Sequence, residues 1–192
     1  MNKGVLFVIS APSGCGKGSV LSLVTETNSN IHYSVSATTR KPREGEVNGV
    51  NYHFIKKEDF EALIQGGNML EYAEYCGNYY GTPARPVKDM LNSGKHVMLE
   101  IEVQGAMKVK EKCPDAALIF VVPPSLDELK RRLLKRGTET EEVIAQRLAQ
   151  AENEMRAAKE YDYIIVNENL ETAAEDLKTV IRAEELRNRG CI

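Results

Sequence analysis

The 192-residue chain has no C-x-x-C pair, no basic tail, no long apolar run and no internal repeat. Its four cysteines, Cys15, Cys76, Cys113 and Cys191, lie far apart. That spacing excludes a zinc ribbon and a disulfide frame and suits reduced thiols in a cytoplasmic protein. Lys and Arg number 25 against 28 Asp and Glu, a net charge of −3, so a nucleic-acid polymer is not expected as a partner. The apolar runs are too short to cross a bilayer, so no membrane association is expected. The N-terminal stretch MNKGVLFVIS runs straight into a Gly-rich loop, and is read as a supporting strand rather than a signal peptide. What remains is ordinary globular composition, 42% hydrophobic and 28% charged. It suffices for one domain, with or without small insertions.

The rest of the chain is organised around Ser10–Val20, SAPSGCGKGSV. An apolar run, Val5–Ile9, precedes it and an apolar helical pattern follows. Strand, Gly-rich loop and helix form the context a phosphate-binding loop requires. Gly14, Gly16 and Gly18 lack a Cβ, so successive N–H groups can turn inward on phosphate oxygens. The next helix start adds unpaired N–H groups and positive dipole. Lys17 offers an ammonium to the outer phosphates of a nucleoside triphosphate. The match to G-x-x-x-x-G-K-[ST] is incomplete: Ala11 replaces the first Gly, Gly18 takes the hydroxyl place, and Ser19 comes one residue late. Cys15 among the loop N–H groups has two readings, a reactive thiol of lowered pKa or a small filler.

Along the chain, the pattern predicts a helix over Lys17–Thr25, an extended segment over His32–Arg40 and a loop over Lys41–Gly49. A strand follows at Tyr52–Ile55, a helix at Lys57–Gln65 and a strand at Met69–Tyr75, with a turn at Gly77-Asn78. A helix over Thr82–Asn92 leads to a buried strand, His96–Glu102, and a helix over Gly105–Lys112. The run ALIFVV, Ala117–Val122, reads as a strand covered on both faces of a parallel sheet. Ser125-Leu126-Asp127-Glu128 reads as a capping box opening a helix with Leu126, Leu129, Leu133 and Leu134 on one side. Gly137 ends that helix, and Thr138–Glu141 opens a long one through Lys159. A strand at Tyr163–Val166 and a helix over Leu170–Arg189 close the chain. Strands alternating with helices argue an α/β fold with a parallel sheet.

Three groups of residues carry chemistry. Arg132 and Arg136 share a helix face and Arg147 follows one helix on; they form either a solvated cationic face or a clamp for a transferring phosphoryl group. The Gly-rich loop favours the clamp, with a hinge at Gly137-Thr138. Arg40, Arg43, Tyr52 and Tyr80 are either a second phosphate site or surface residues. Ser36, Glu71, Thr82, Glu100 and Glu102 are acidic and hydroxylic. Glu100 is either an orienter of Mg²⁺ or a salt-bridge partner; Glu71 is either an edge charge or a reader of a base.

The stretches APSGCGKGSV, SVSATTRKPREGEVNGVNYHF, EYAEYCGNYYGT, MLEIEVQG, RRLLKRGTETEE and IIVNENL together resemble guanylate kinase, a nucleoside monophosphate kinase family, from about Gly4 to Arg189. The resemblance implies a P-loop NTPase-type parallel sheet core flanked by helices, with a GMP-binding insertion at 35–83 and a helical lid at 126–156 in one domain. The core would be 1–34, 84–125 and 157–192. It implies phosphoryl transfer from ATP to GMP, with Mg²⁺, in purine nucleotide metabolism and GMP recycling. Ala11, Pro12, Ser13, Gly14, Cys15, Gly16, Lys17, Gly18 and Ser19 would hold ATP, and Asn167 would lie near its adenosine. Arg40, Arg43, Tyr52 and Tyr80 would bind the GMP phosphate; Ser36, Glu71, Thr82 and Glu102 would read guanine. Lys17, Arg132, Arg136 and Arg147 would act on the transferring group, and Ser19 and Glu100 would hold Mg²⁺ directly or through water. Glu102 stands where Asp is usual in the family. The acceptor is a phosphate with a second pKa of about 6, so no general base is needed. A module of the same fold that binds acidic peptides without catalysis is the competing expectation, and a homo-oligomer stays open.

Overall fold

A computed structural model describes residues 3–136 and 140–187, with the Arg136 side chain excluded. The expected Gly137 stop, the Gly137-Thr138 hinge, Thr138, Glu139, Arg189 and Cys191 lie outside the described residues. Two compact units emerge: Met1–Phe7 with Asn30–Ala116, and Val8–Ser29 with Ala117–Ile192.

The larger sheet has the strand order β2-β7-β1-β8-β9: β1 Leu6–Ser10, β2 Ile31–Tyr33, β7 His96–Glu100, β8 Ala117–Val122 and β9 Tyr163–Val166. β2 pairs with β7, and β8 with β9, in parallel. Every residue of β1 is buried, as are the first five of β8. That matches the continuous apolar runs of parallel strands covered on both faces.

In the first unit a second sheet has the order β4-β3-β6-β5: β3 Ala37–Thr38, β4 His53–Phe54, β5 Met69–Tyr75 and β6 Asn78–Pro83. β5 and β6 form an antiparallel hairpin whose register slips between Met69 and Glu71. Three helices belong to this unit: α2 Lys57–Gln65, α3 Ala84–Asn92 and α4 Val103–Lys112. Phe60 of α2 is fully buried with Ala37 and Met69, and stacks on Tyr79 at 5.3 Å.

The second unit holds α1 Lys17–Thr27, α5 Leu126–Arg136, α6 Glu141–Arg156, a 3-10 turn at Ala157–Glu160 and α7 Leu170–Leu186. Asn169 caps α7 by accepting from the Thr172 N–H at 3.0 Å. Among the described residues no helix is long and apolar enough to cross a membrane.

Several expected boundaries move, each for a physical reason. The extended segment 32–40 is two short strands because the chain changes partners. The Ser34 N–H still bonds the β7 carbonyl of Met98 at 3.0 Å, but the Ser36 carbonyl accepts from His53 at 2.8 Å. The helix expected from Thr82 starts at Ala84, since Pro83 disfavours a helical conformation at Thr82, which pairs with Glu71 in the hairpin. The hairpin turn centres on Cys76-Gly77, both at positive φ (50° and 73°), a residue earlier than expected. The strand expected through Glu102 ends at Glu100, and Glu102 becomes the extended N-cap of α4.

Of the four leucines expected inside α5, Leu129 and Leu133 are buried, but Leu126 and Leu134 are exposed by 36% and 49%. Ser125 accepts from the Glu128 N–H at 3.1 Å, but the Glu128 carboxylate turns to Arg131 and Arg132 instead of closing the box. α6 begins after Thr140 and its last turn tightens to 3-10 from Ala157.

Candidate active site

In the second unit the turn between β1 and α1 is built from backbone. Gly14 and Gly16 have φ of 93° and 80°, a region side chains rarely adopt, and α1 follows at Lys17. Packing closes both positions: a Cβ on Gly14 would stand 2.8 Å from Leu133 Cδ2, and one on Gly16 2.7 Å from Asn167 Nδ2. Gly18 faces open space, so its role is not set by crowding. Ser19, in the first helical turn, is exposed, and Lys17 is half-buried.

Two side chains from elsewhere in the unit hold this loop. Buried Asn167 donates from Nδ2 to the Cys15 carbonyl at 2.7 Å, and its own carbonyl accepts from Arg132 Nη2 at 2.9 Å. Arg147 Nη1 donates to Ser13 Oγ at 2.7 Å. Arg132 is also tied by Nε to Glu128 at 2.8 Å, and Arg131 and Arg132 together hold Glu128 well below the usual carboxylate range, at about 2. The structure thus brings Arg147 and Asn167 onto the loop, with Arg132 behind Asn167.

Cys15 overturns the expectation of a lowered pKa. It is buried against Leu129, Leu133, Ile144 and Ala151, and this burial pushes the thiol up to about 12 despite nearby Arg132 and Lys17. Desolvation outweighs the loop's positive field, and Cys15 is the small filler.

In the first unit a cavity of about 300 Å³ is lined by Ser36, Tyr52, Glu71, Tyr80, Glu100 and Glu102, among others. Glu71 is buried at 6% exposure on β5 and accepts from the Thr82 hydroxyl of β6 at 2.8 Å. Burial raises its pKa above the ordinary value, opposed by the Thr82 hydroxyl and the charge of Lys108. Glu102 is exposed at the start of α4, while Glu100 accepts from the Tyr33 hydroxyl at 2.5 Å.

Beside the cavity, Arg40 is fixed by two parallel bonds to Glu46, at 2.8 and 2.9 Å. Its guanidinium lies over the rings of Tyr52 (5.5 Å) and Phe54 (5.6 Å), and the Tyr52 and Tyr80 rings meet edge-on at 6.0 Å. Arg43 exposes its side chain and gives its backbone N–H to Glu46 at 2.7 Å. Sequence reasoning passed over Glu46, yet an acid six residues after Arg40 in a Gly-punctuated loop was a readable signal. Gly105 of the cavity wall was also missed, as were Tyr33, bonded to Glu100, and Lys108, whose charge acts on Glu71, because they come from a strand and a helix distant in the chain.

The family model described as guanylate kinase matches residues 3–184. The chain belongs to the guanylate kinase family. It is similar to the guanylate kinase of Lactococcus lactis subsp. lactis, 54% identical over 96% of this chain and 90% of that protein. It is also similar to that of Halalkalibacterium halodurans, 51% identical over 99% of this chain and 93% of the relative. Among solved structures, the guanylate kinase from Anaplasma phagocytophilum has a TM-score of 0.76 and 36% identity, covering 97% of this chain and 89% of the other. Membership in the guanylate kinase family, at this identity and coverage, makes the chain a kinase with a P-loop NTPase fold.

Proposed function

We propose that the chain transfers the γ-phosphoryl group of ATP to GMP, giving ADP and GDP. The observation that carries the choice of acceptor is buried Glu71 in the cavity wall, held by Thr82 at 2.8 Å. Guanine presents N1–H and the 2-amino group side by side, a donor pair one carboxylate accepts bidentately. Adenine presents an acceptor at N1, and a buried carboxylate facing it would lose its partner. Ser36 serves the acceptor edge of the base, Thr82 acts on it through Glu71, to which its one hydroxyl proton is given, and Glu102 stands at the rim. Arg40, Arg43, Tyr52 and Tyr80 take the GMP phosphate, Arg40 being presented by Glu46.

The loop Ala11–Ser19 binds the ATP phosphates through its N–H groups and Lys17. Asn167 supports this loop from the Cys15 carbonyl. That contact deepens the expectation of an adenosine-side position: its amide works on loop geometry. Lys17, Arg132, Arg136 and Arg147 neutralise charge on the transferring group, and alignment does the rest. The acceptor oxygen is already ionised near neutrality, so these residues move no proton.

Mg²⁺ enters with ATP. The donor chemistry fits: Ser19 and Glu100 are hard oxygen ligands, and among the described residues no group of three or more His, Cys, Asp or Glu forms a cage of its own. An ion shared with substrate phosphates needs only one or two protein oxygens. When bound, it would supply charge neutralisation on the nucleotide phosphates.

On this reading segment 35–83 is the acceptor-binding part and 126–156 the lid, and the enzyme works in the cytoplasm, returning GMP to the purine nucleotide pool. The test is ADP formation from MgATP with GMP, AMP, UMP and CMP supplied separately. Turnover with GMP alone is expected. Turnover with AMP or a pyrimidine overturns the base assignment, and no turnover by folded protein favours a non-catalytic binding module.

A further inference from the structure

Helix α4 carries a glycine its backbone does not require. Gly105 is buried in the first turns and has no positive φ, and alanine there would favour the helix. The reason lies beside it: a Cβ on Gly105 would stand 3.0 Å from Glu71 Oε2 and 3.5 Å from Glu71 Cδ. The carboxylate would have to shift by a few tenths of an ångström, yet its other oxygen is held by Thr82 at 2.8 Å.

Three and seven residues further on, Lys108 and Lys112 continue the same helix face. Lys108 Nζ donates to the Tyr72 carbonyl at 2.9 Å and Lys112 Nζ to the Met69 carbonyl at 3.0 Å. Both carbonyls belong to β5, an edge strand with a ladder neighbour on one side only. They bracket the register slip between Met69 and Glu71, where the ladder alone fixes Glu71 least.

We propose that the Gly105–Lys108–Lys112 face of α4 is a specificity determinant: the two lysines pin β5 around Glu71, and the absent Gly105 side chain leaves Oε2 room to accept a base N–H. The proposal rests on reading the cavity as the guanine site. Gly105, Lys108 and Lys112 are positioning residues acting through Glu71.

The test compares Gly105→Ala and the double variant Lys108→Met/Lys112→Met with the parent enzyme. Each is assayed with MgATP against GMP and against IMP, which lacks the 2-amino donor, and each is melted. Gly105→Ala is expected to raise the GMP KM roughly tenfold, to reduce the preference for GMP over IMP, and to melt no lower than the parent. Its ATP KM should stay within about twofold, because the side chains that hold the loop, Asn167 and Arg147, are not those that hold Glu71. The double lysine variant should raise the GMP KM about fivefold and erode the same preference.

An unchanged GMP KM and preference in Gly105→Ala overturns the proposal. So does a lowered melting temperature with GMP and ATP KM rising together, the mark of a packing defect. A double lysine variant indistinguishable from the parent removes the lysines from it. Glu71→Gln, run in parallel, separates the two readings. If Glu71→Gln keeps the full preference for GMP over IMP, the guanine site itself is wrong. If it loses the preference while Gly105→Ala is silent, only the role of α4 falls.

Discussion

On the proposed reading, the Gly-rich loop and the Glu71 cavity solve recognition in opposite ways, the one for phosphate and the other for a base. The loop offers repeated backbone N–H groups, and two side chains around it, Asn167 and Arg147, are fastened to it by hydrogen bonds of 2.7 Å. The cavity offers individual side chains, chiefly Glu71, whose burial raises its pKa. Phosphate is the same in every nucleotide, so a backbone cradle suffices for it. A base must be told from other bases, and that takes a few polar groups in a shaped, desolvated pocket. The desolvation that on the proposed reading makes Glu71 selective also disfavours its charge in the fold.

Breaking the loop side of this contrast should have the largest effect. Lys17→Ala is expected to lower kcat by roughly 10²–10³-fold while the GMP KM changes little. Initial rates at varied GMP check this, and an unchanged kcat would remove Lys17 from the transfer step. On the cavity side, Glu71→Ala should lower kcat/KM for GMP by about 10²-fold and spare the ATP KM; equal losses for both substrates would sink the contrast. Because Glu71 must be ionised to accept from guanine, the acid limb of kcat/KM for GMP in the parent should lie above the ordinary carboxylate range.

A smaller effect sharpens the loop side. Asn167→Ala, freeing the Cys15 carbonyl, should raise the ATP KM about tenfold with the GMP KM nearly constant. The smallest effect is on stability. The native pKa of Glu71 is raised, so the folded chain keeps that proton where the unfolded chain has lost it. Its contribution is therefore most favourable below the unfolded carboxylate pKa and declines as pH rises through the native one. Glu71→Gln lacks this decline and should melt about 2 °C above the parent at pH 8, with no advantage at pH 4. A lower melting temperature at pH 8 would show that the Thr82 contact outweighs the desolvation.

Local pattern decided much of this molecule. The strand runs at Met69–Tyr75, Ala117–Val122 and Tyr163–Val166 and the helix at Lys57–Gln65 stand where the residues indicate, since each is a short element whose side chains announce its period. The Gly-rich loop was legible for the same reason: a positive-φ turn needs Gly14 and Gly16 wherever the chain goes next. Family membership was legible too, because several distinct motifs stand in order across nearly the whole chain.

Tertiary structure decided what depends on partners remote in the chain. Of the two readings of Cys15, the reactive thiol fails and the small filler stands: helices α5 and α6 bury it, and desolvation of a thiolate outweighs nearby partial charges. Glu100 and Glu102 looked like a pair at one strand end, but Glu100 meets Tyr33 and Glu102 starts a helix. Asn167 looked like a ligand contact, and the fold gives its amide to the Cys15 carbonyl, 152 residues away. The sequence by itself set the α/β elements, the phosphate loop and the family, because those follow from local backbone preference and motif. Which charge is buried, which is paired and which glycine makes room for a carboxylate were settled only by folding, because desolvation and hydrogen bonding depend on neighbours the local sequence does not name.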